Sequence, residues 1–209
     1  MNFKEQFINI YTSNIQREGA EDLLKYLESS SFFEDPASTR YHLDRPEGLV
    51  EHSIDVYNRL HWLCAVESSH NSKFTKPTEE SIAIVGLLHD LCKANTYVKE
   101  IKNFKNYDTD AIANAYDAVV RQDSHGEYIW DSKIGYRKED NFIYGHGEKS
   151  VYLISKFMKL TDEEAFAIRY HMASWNEHEK DDASRCFSRY EFAMLTHMAD
   201  EFATFVDEV

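Results

Sequence analysis

The sequence predicts a mostly α-helical, single-domain protein, and three observations point there. Seven Gly and three Pro in 209 residues leave few turn-makers for a many-stranded sheet. Apolar residues recur every three to four positions through most of the chain. Only one stretch, residues 119–138, reads as a β-hairpin. The length suits a single domain (1–209) with a substantial core. A composition that is 43% hydrophobic and 14% aromatic belongs to a folded chain, not a disordered one.

The elements follow in order. Residues 3–12 and 19–29 form two amphipathic helices, which make residues 1–40 an N-terminal helical cover. The polar, turn-rich stretch SSSFFEDPASTRYHLDRPEG then leads to a helix over 49–68, with Leu49, Val56, Leu60 and Leu63 on one face. Thr78 is placed to cap the next helix, with Glu79 and Glu80 favourable to its N-terminal dipole. That helix runs through SIAIVGLL to His89 and Asp90.

Residues 94–145 read as an insertion. A weak helical stretch lies around 110–120. VVRQD and EYIWDSKIGYRKED then flank SHG as a two-stranded hairpin. Gly145–His146–Gly147 precedes a helix near 148–158. Thr161 and Glu164 make a capping box for a helix reaching about Ser174. The last helix spans 188–206 with Phe192, Leu195, Met198, Ala199, Phe202, Phe205 and Val206 as its apolar stripe.

Charge narrows the function classes. With 23 basic and 37 acidic residues the formal charge is −14, which disfavours broad binding to a phosphate backbone and hence long nucleic acid. Cys64, Cys92 and Cys186 are widely spaced and lack a CxxC pattern, as expected of reduced thiols in the cytoplasm. Neither an apolar signal core nor an 18-residue apolar run occurs, so a soluble protein with no membrane association is expected.

One segment poses a chemical question. GLLHDLCK delivers two ionisable groups, His89 and Asp90, at the end of an apolar helix. An unpaired buried charge costs several kcal/mol or is neutralised, so a polar network or a metal must compensate. Further candidates are His52 one turn into its helix, His146 between two glycines, His171 in FAIRYHM, and Asp200 among small side chains on the last helix. Helical bundles build metal sites from residues on several helices in this way. Plainer readings stand beside each: a hydrogen-bonded core pair for His89–Asp90, an ordinary helix histidine for His52, a simple turn around His146. His197 is expected to pack or support, and Asp181–Asp182 to lie in a solvated loop. His61, His70, His125 and His178 are expected at the surface or in packing. Tyr128, Trp130 and Tyr136 either stack a base or pair across the hairpin.

Taken in order, GLVEHS, LLHDLCK, YGHGEKS, RYHM and HMAD resemble the HD-domain superfamily of metal-dependent phosphohydrolases over roughly residues 40–205. The form it resembles has two extra histidines between the HD pair and the final aspartate. The chain is also similar to the catalytic domain of bacterial HD-type 3′–5′ exoribonucleases, although it has no room for their nucleic-acid-binding domain. The resemblance implies an HD-type helical bundle and two divalent transition-metal ions. His52, His89, Asp90 and Asp200 would hold one, and Asp90, His146 and His171 the other. Imidazole and carboxylate together suit Mn, Fe, Ni or Zn. Such a pair, roughly 3.5–4 Å apart, activates a bridging hydroxide for attack on phosphorus. The expected activity is hydrolysis of a phosphate ester, monoester or diester, in a nucleotide or short oligonucleotide, with Asp90 and Lys93 catalytic. His42, Arg45 and Lys93 are expected to border the substrate, although Lys93 is placed equally well as a surface residue beyond a helix end. Two rival expectations are a di-iron oxygenase with the same ligands and a non-catalytic nucleotide sensor.

Overall fold

The computed structural model describes residues 2–115, 119–173 and 180–208. Within them the chain is mostly α-helical with one small antiparallel sheet. The helices are α1 (Phe3–Asn14), α2 (Ala20–Ser29), α3 (Gly48–His70), α4 (Glu79–Leu88), α5 (Thr109–Asn114), α6 (His146–Ser155), α7 (Asp162–Arg169), α8 (Lys180–Arg189) and α9 (Glu191–Phe202). The strands are β1 (Tyr97–Asn106), β2 (Arg121–Asp123) and β3 (Gly126–Lys138).

The N-terminal cover forms as its sequence suggests. Asn2 and Glu5 make a capping box on α1, and Phe7, Tyr11, Leu23 and Leu27 are buried by α1 and α2. The Tyr11 hydroxyl donates to the carbonyl of Ala20 at 2.8 Å, which satisfies a phenol deep in the core. Arg17 then ties the cover to the bundle. Its guanidinium donates twice to buried Glu164, at 2.7 and 2.9 Å, and once to Glu80 at 3.1 Å. Glu164 also closes the expected capping box with Thr161 at the start of α7.

α3 and α4 are the central pair. Gly86 lets them approach closely, because a Cβ there would lie 2.6 Å from the Tyr57 Cα. Ile82, Ile84, Leu87 and Leu88 of α4 and Leu49, Val56 and Leu60 of α3 are fully buried. Thr78 caps α4 as expected, accepting from the Ser81 amide. The helix stops at Leu88, and a 3₁₀ turn (Leu91–Lys93) carries the chain away from His89–Asp90.

Residues 94–145 hold more β-structure than expected. The hairpin of β2 and β3 is present, with Arg121 opposite Tyr128 and Asp123 opposite Gly126. A further strand, β1, pairs along β3 from Tyr97 opposite Lys138 to Asn106 opposite Ile129. In sheet order β1–β3–β2 the long strand lies in the middle. The sequence hides β1 because much of YVKEIKNFKN is exposed, so no buried side imposes an apolar/polar alternation. The helix expected around 110–120 is restricted to α5, and residues 116–118 lie outside the described segments.

Three further corrections concern the C-terminal third. α7 ends at Arg169, well before Ser174, and His171 therefore sits in the turn after the helix. Asp181 and Asp182 are in the first turn of α8 rather than in a loop, although both remain exposed. Only Ala183 and Cys186 of α8 are buried, too few apolar positions to announce a helix. Tyr190, in extended conformation, separates α8 from α9, so the single helix expected over 188–206 is divided. Beyond α9 the chain widens into a π-helical turn, Ala203–Asp207. His178 lies outside the described residues.

Adding a methyl group at the α3–α4 crossing tests how tightly the bundle is packed. Gly86→Ala is expected to lower unfolding free energy by about 1–3 kcal/mol, the usual cost of overpacking a core. Denaturant titration reads it, and an unchanged midpoint would show the crossing to be looser than described.

Candidate metal centre

The end of α4 carries the centre. His89 directly follows the helix, and its Nδ1–H donates back to the Gly86 carbonyl at 2.9 Å. This leaves Nε2 as the free lone pair, pointing inward. His171 repeats the device after α7: its Nδ1–H donates to the Ile168 carbonyl at 2.6 Å. Its Nε2 is buried with no hydrogen-bond partner among the described residues. His52, fully buried on α3, donates Nδ1–H to the Glu208 carboxylate at 2.7 Å. Three imidazoles thus have one nitrogen fixed outside and the other turned to a common interior, the usual support for metal-binding histidines.

Asp90 occupies the middle and is 2% exposed. Its Oδ1 faces His146 Nε2 at 2.7 Å and His171 Nε2 at 3.6 Å. Its Oδ2 faces His52 Nε2 at 3.6 Å and His89 Nε2 at 3.7 Å, and accepts from the Lys93 ammonium at 2.5 Å. Asp200, on α9, lies 3.2 Å from His52 Nε2. All six residues expected as ligands therefore meet in one place, with the two oxygens of Asp90 turned towards different sets.

The glycine after His146 now has a structural reason. A Cβ on Gly147 would lie 2.2 Å from the Arg169 carbonyl oxygen, so only glycine lets the start of α6 approach the end of α7. The Glu148 carboxylate spans the same junction, accepting from the Arg169 guanidinium. As a result the His146 and His171 rings lie 5.2 Å apart.

The residues fit a cation. His52 Nε2 and His89 Nε2 face one another at 3.3 Å, and with both Nδ1 atoms committed as donors these are two opposed lone pairs. Positive charge must lie between them. In the metal-free cluster a proton can supply it: burial opposes the charge on His52, but Asp200 and Glu208 outweigh burial and raise it to about 10. Burial, with help from His171 and His52, pushes His89 down to about 3. Against the penalty of burial, Lys93, His89 and His146 hold Asp90 well below the usual carboxylate range, and His52 does the same for Asp200. Buried His/Asp/Cys groups here could hold a metal ion; the candidate triads include His52–His89–Asp200, His89–Asp90–His171 and Asp90–Cys92–His146.

The residues expected at the substrate divide. His42 packs its ring on that of His52, with centroids 5.0 Å apart, and burial lowers it to about 4. His42 and Lys93 line a cavity of about 730 Å³ together with His52, Asp90 and Asp200. Arg45 does not. It points outward to Glu51 and is absent from the cavity wall, because the turn before α3 directs it to the surface. The aromatic residues of the sheet also lie elsewhere: Tyr128 packs against Tyr107 and Trp130, and Tyr136 against Tyr97. His197 supports the centre from outside, donating Nδ1–H to the His171 carbonyl at 2.6 Å. His61 pairs with Glu79, while His70 and His125 are exposed.

Sequence reasoning missed several participants. Cys92 sits 3.2 Å from His146 Nδ1, and burial pushes its thiol up to about 12. Tyr41, Met172 and Phe205 supply apolar wall. Glu208 was hidden because the π turn shifts the helical phase after Phe202, so a 3.6-residue count from Asp200 does not reach it.

No family model, no curated protein and no solved structure matches this chain. Among the described residues no helix is long and apolar enough to cross a membrane, and all three cysteines are free.

The electrostatics set a pH dependence for the metal-free protein. His52 is raised in the fold, so its contribution is complete below its unfolded value near 6.5 and is lost as pH rises towards about 10. His89 is depressed, and Asp90 and Asp200 are ionised only in the fold at low pH, so stability also falls on acidification. Melting in chelator is expected to be highest around neutrality and to decline between pH 7 and 10. With Mn²⁺ bound, the alkaline decline should disappear. A flat chelator profile over that range would contradict the charge assignment of His52.

Proposed function

We propose that the chain is an HD-superfamily phosphohydrolase that acts on a small phosphate ester, a nucleotide or short oligonucleotide. One observation carries the reading: the six ligands of the H…HD…H…H…D series converge, and Asp90 turns one oxygen to His52 and His89 and the other to His146 and His171. A carboxylate so placed is suited to join two cations. His52, His89, Asp90 and Asp200 would hold the first, and Asp90, His146 and His171 the second. Bound divalent ions supply Lewis acidity towards phosphoryl oxygens and lower the pKa of bound water.

The chain's own residues do the rest. Lys93 lies against Asp90 and on the cavity wall, where its fixed charge meets a phosphate oxygen as negative charge builds. Asp90 raises the Lys93 pKa against the effect of burial, so the ammonium stays protonated. Tyr41, Met172 and Phe205 on the cavity wall offer an apolar seat for the organic part of the ester. A volume of about 730 Å³ suits a nucleotide-sized ligand. Glu201 and Glu208 on the same wall, and the net charge of −14, work against a long polyanion.

Three variants separate the roles. Asp90→Ala is expected to leave a helical protein that retains neither ion, whereas His146→Ala empties mainly the second position; elemental analysis alongside circular dichroism reads both. Lys93→Met should keep the metal content yet lose about a hundredfold or more in turnover. The activity itself is tested by supplying Mn²⁺-loaded protein with nucleoside mono- and triphosphates, cyclic nucleotides and short oligonucleotides, and measuring released phosphate and product length. Metal-replete protein that cleaves none of them would count against the hydrolase.

A further inference from the structure

The last described residues make an unexpected contribution to the centre. Glu208 has 1% of its side chain exposed, although it follows an exposed stretch of the π turn. Two anchors hold it there. The Glu208 amide donates to the Ala203 carbonyl at 3.1 Å, the wide hydrogen bond of that turn. The preceding residue, Asp207, is gripped by the Arg59 guanidinium of α3 in a two-pronged pair, with Nε donating to Oδ2 at 2.5 Å and Nη2 to Oδ1. Arg59 lies seven residues, about two turns, beyond His52 on the same helix. α3 therefore carries both the metal-facing imidazole and the arginine that anchors the turn contacting it.

The carboxylate so delivered is directed. Oε1 accepts from His52 Nδ1 at 2.7 Å. Oε2 lies 3.8 Å from His42 Nε2 and has no hydrogen-bond partner among the described residues. A buried carboxylate with one oxygen unmatched is costly. The compensation open to it is a strong, charge-assisted bond to His52, made stronger when the imidazole gives electron density to a cation on its other nitrogen.

We propose that Glu208 is a positioning residue of the metal centre: it fixes the His52 ring and tautomer so that Nε2 faces the ions. This rests on the metal-binding reading above. His89 and His171 are held by main-chain carbonyls and His52 alone of the three by a carboxylate, so the π turn becomes part of the site. An imidazole backed by a carboxylate is a stronger ligand than one backed by a carbonyl, which makes His52 the anchor of the first ion.

The test uses full-length protein and Zn²⁺, which is diamagnetic. Calorimetry gives the zinc affinity, and nitrogen-15 spectra of the histidine rings show which nitrogen of His52 is protonated and which is bound. Glu208→Leu is expected to weaken the tighter zinc site about 10- to 100-fold and to make the His52 tautomer mixed. Glu208→Gln, which keeps an acceptor without the charge, should fall between Leu and wild type and retain the Nδ1–H tautomer. Asp207→Asn releases the Arg59 anchor without touching His52, and should weaken zinc less than Glu208→Leu. Unchanged zinc affinity and tautomer in Glu208→Leu would overturn the proposal while leaving the metal centre intact. Equal losses in Asp207→Asn and Glu208→Leu would overturn it too, by reducing Glu208 to a tether. Wild-type protein that takes up no zinc fails at an earlier and distinguishable point, and removes both readings.

Discussion

An ionised carboxylate in the middle of a helical bundle is the constraint on which the rest of this structure depends. Asp90 is almost completely buried, yet its surroundings hold it charged. Water does not solvate it, so protein groups must. Lys93 and His146 donate to it directly and protonated His52 stands 3.6 Å away, while the lone pairs that His89 and His171 turn towards it within 3.7 Å call for a cation between. These groups come from α3, the end of α4, α6 and the turn after α7. The packing serves this arrangement. Gly86 brings α3 to α4, Gly147 brings α6 to α7, and each close approach places a pair of histidine rings side by side.

The buried histidines share a mode of support. Where a histidine follows a helix, the carbonyl three residues earlier is free to accept its Nδ1–H, as Gly86 does for His89 and Ile168 for His171. The unsatisfied carbonyls at a helix end thus become orienting groups. His52 lies inside a helix, where its neighbouring carbonyls are spent on the backbone ladder, and it requires a side-chain acceptor instead. Glu208 is that acceptor. The difference between these histidines follows from their places in the secondary structure.

Much of this was legible in the sequence. The helices that cover or line the core announced themselves through apolar spacing and caps: Asn2–Glu5 excepted, Thr78 and the Thr161–Glu164 box mark real helix starts. The six expected ligands meet: His89–Asp90 were legible as a polar pair ending an apolar run, and the other four through their order in the motif series. What was not legible has physical causes. β1 has no buried side to impose a period, and α8 is so polar that only Ala183, Cys186 and Phe187 mark its inner face. Arg45 carries the right charge next to the right helix, but the turn before α3 aims it outward. Glu208 depends on a π turn, whose phase no count of 3.6 residues follows. Cys92 contacts His146 only because a 3₁₀ turn places it beneath α6.

The proposal with the furthest reach is that the six side chains would hold two cations with Asp90 between them. Electron paramagnetic resonance of the protein loaded with two equivalents of Mn²⁺ addresses it most directly, because ions sharing a carboxylate couple magnetically. A site shared in this way gives an exchange-coupled signal that requires both equivalents. The isolated-ion spectrum of a single Mn²⁺, unchanged as the second equivalent is added, would contradict it.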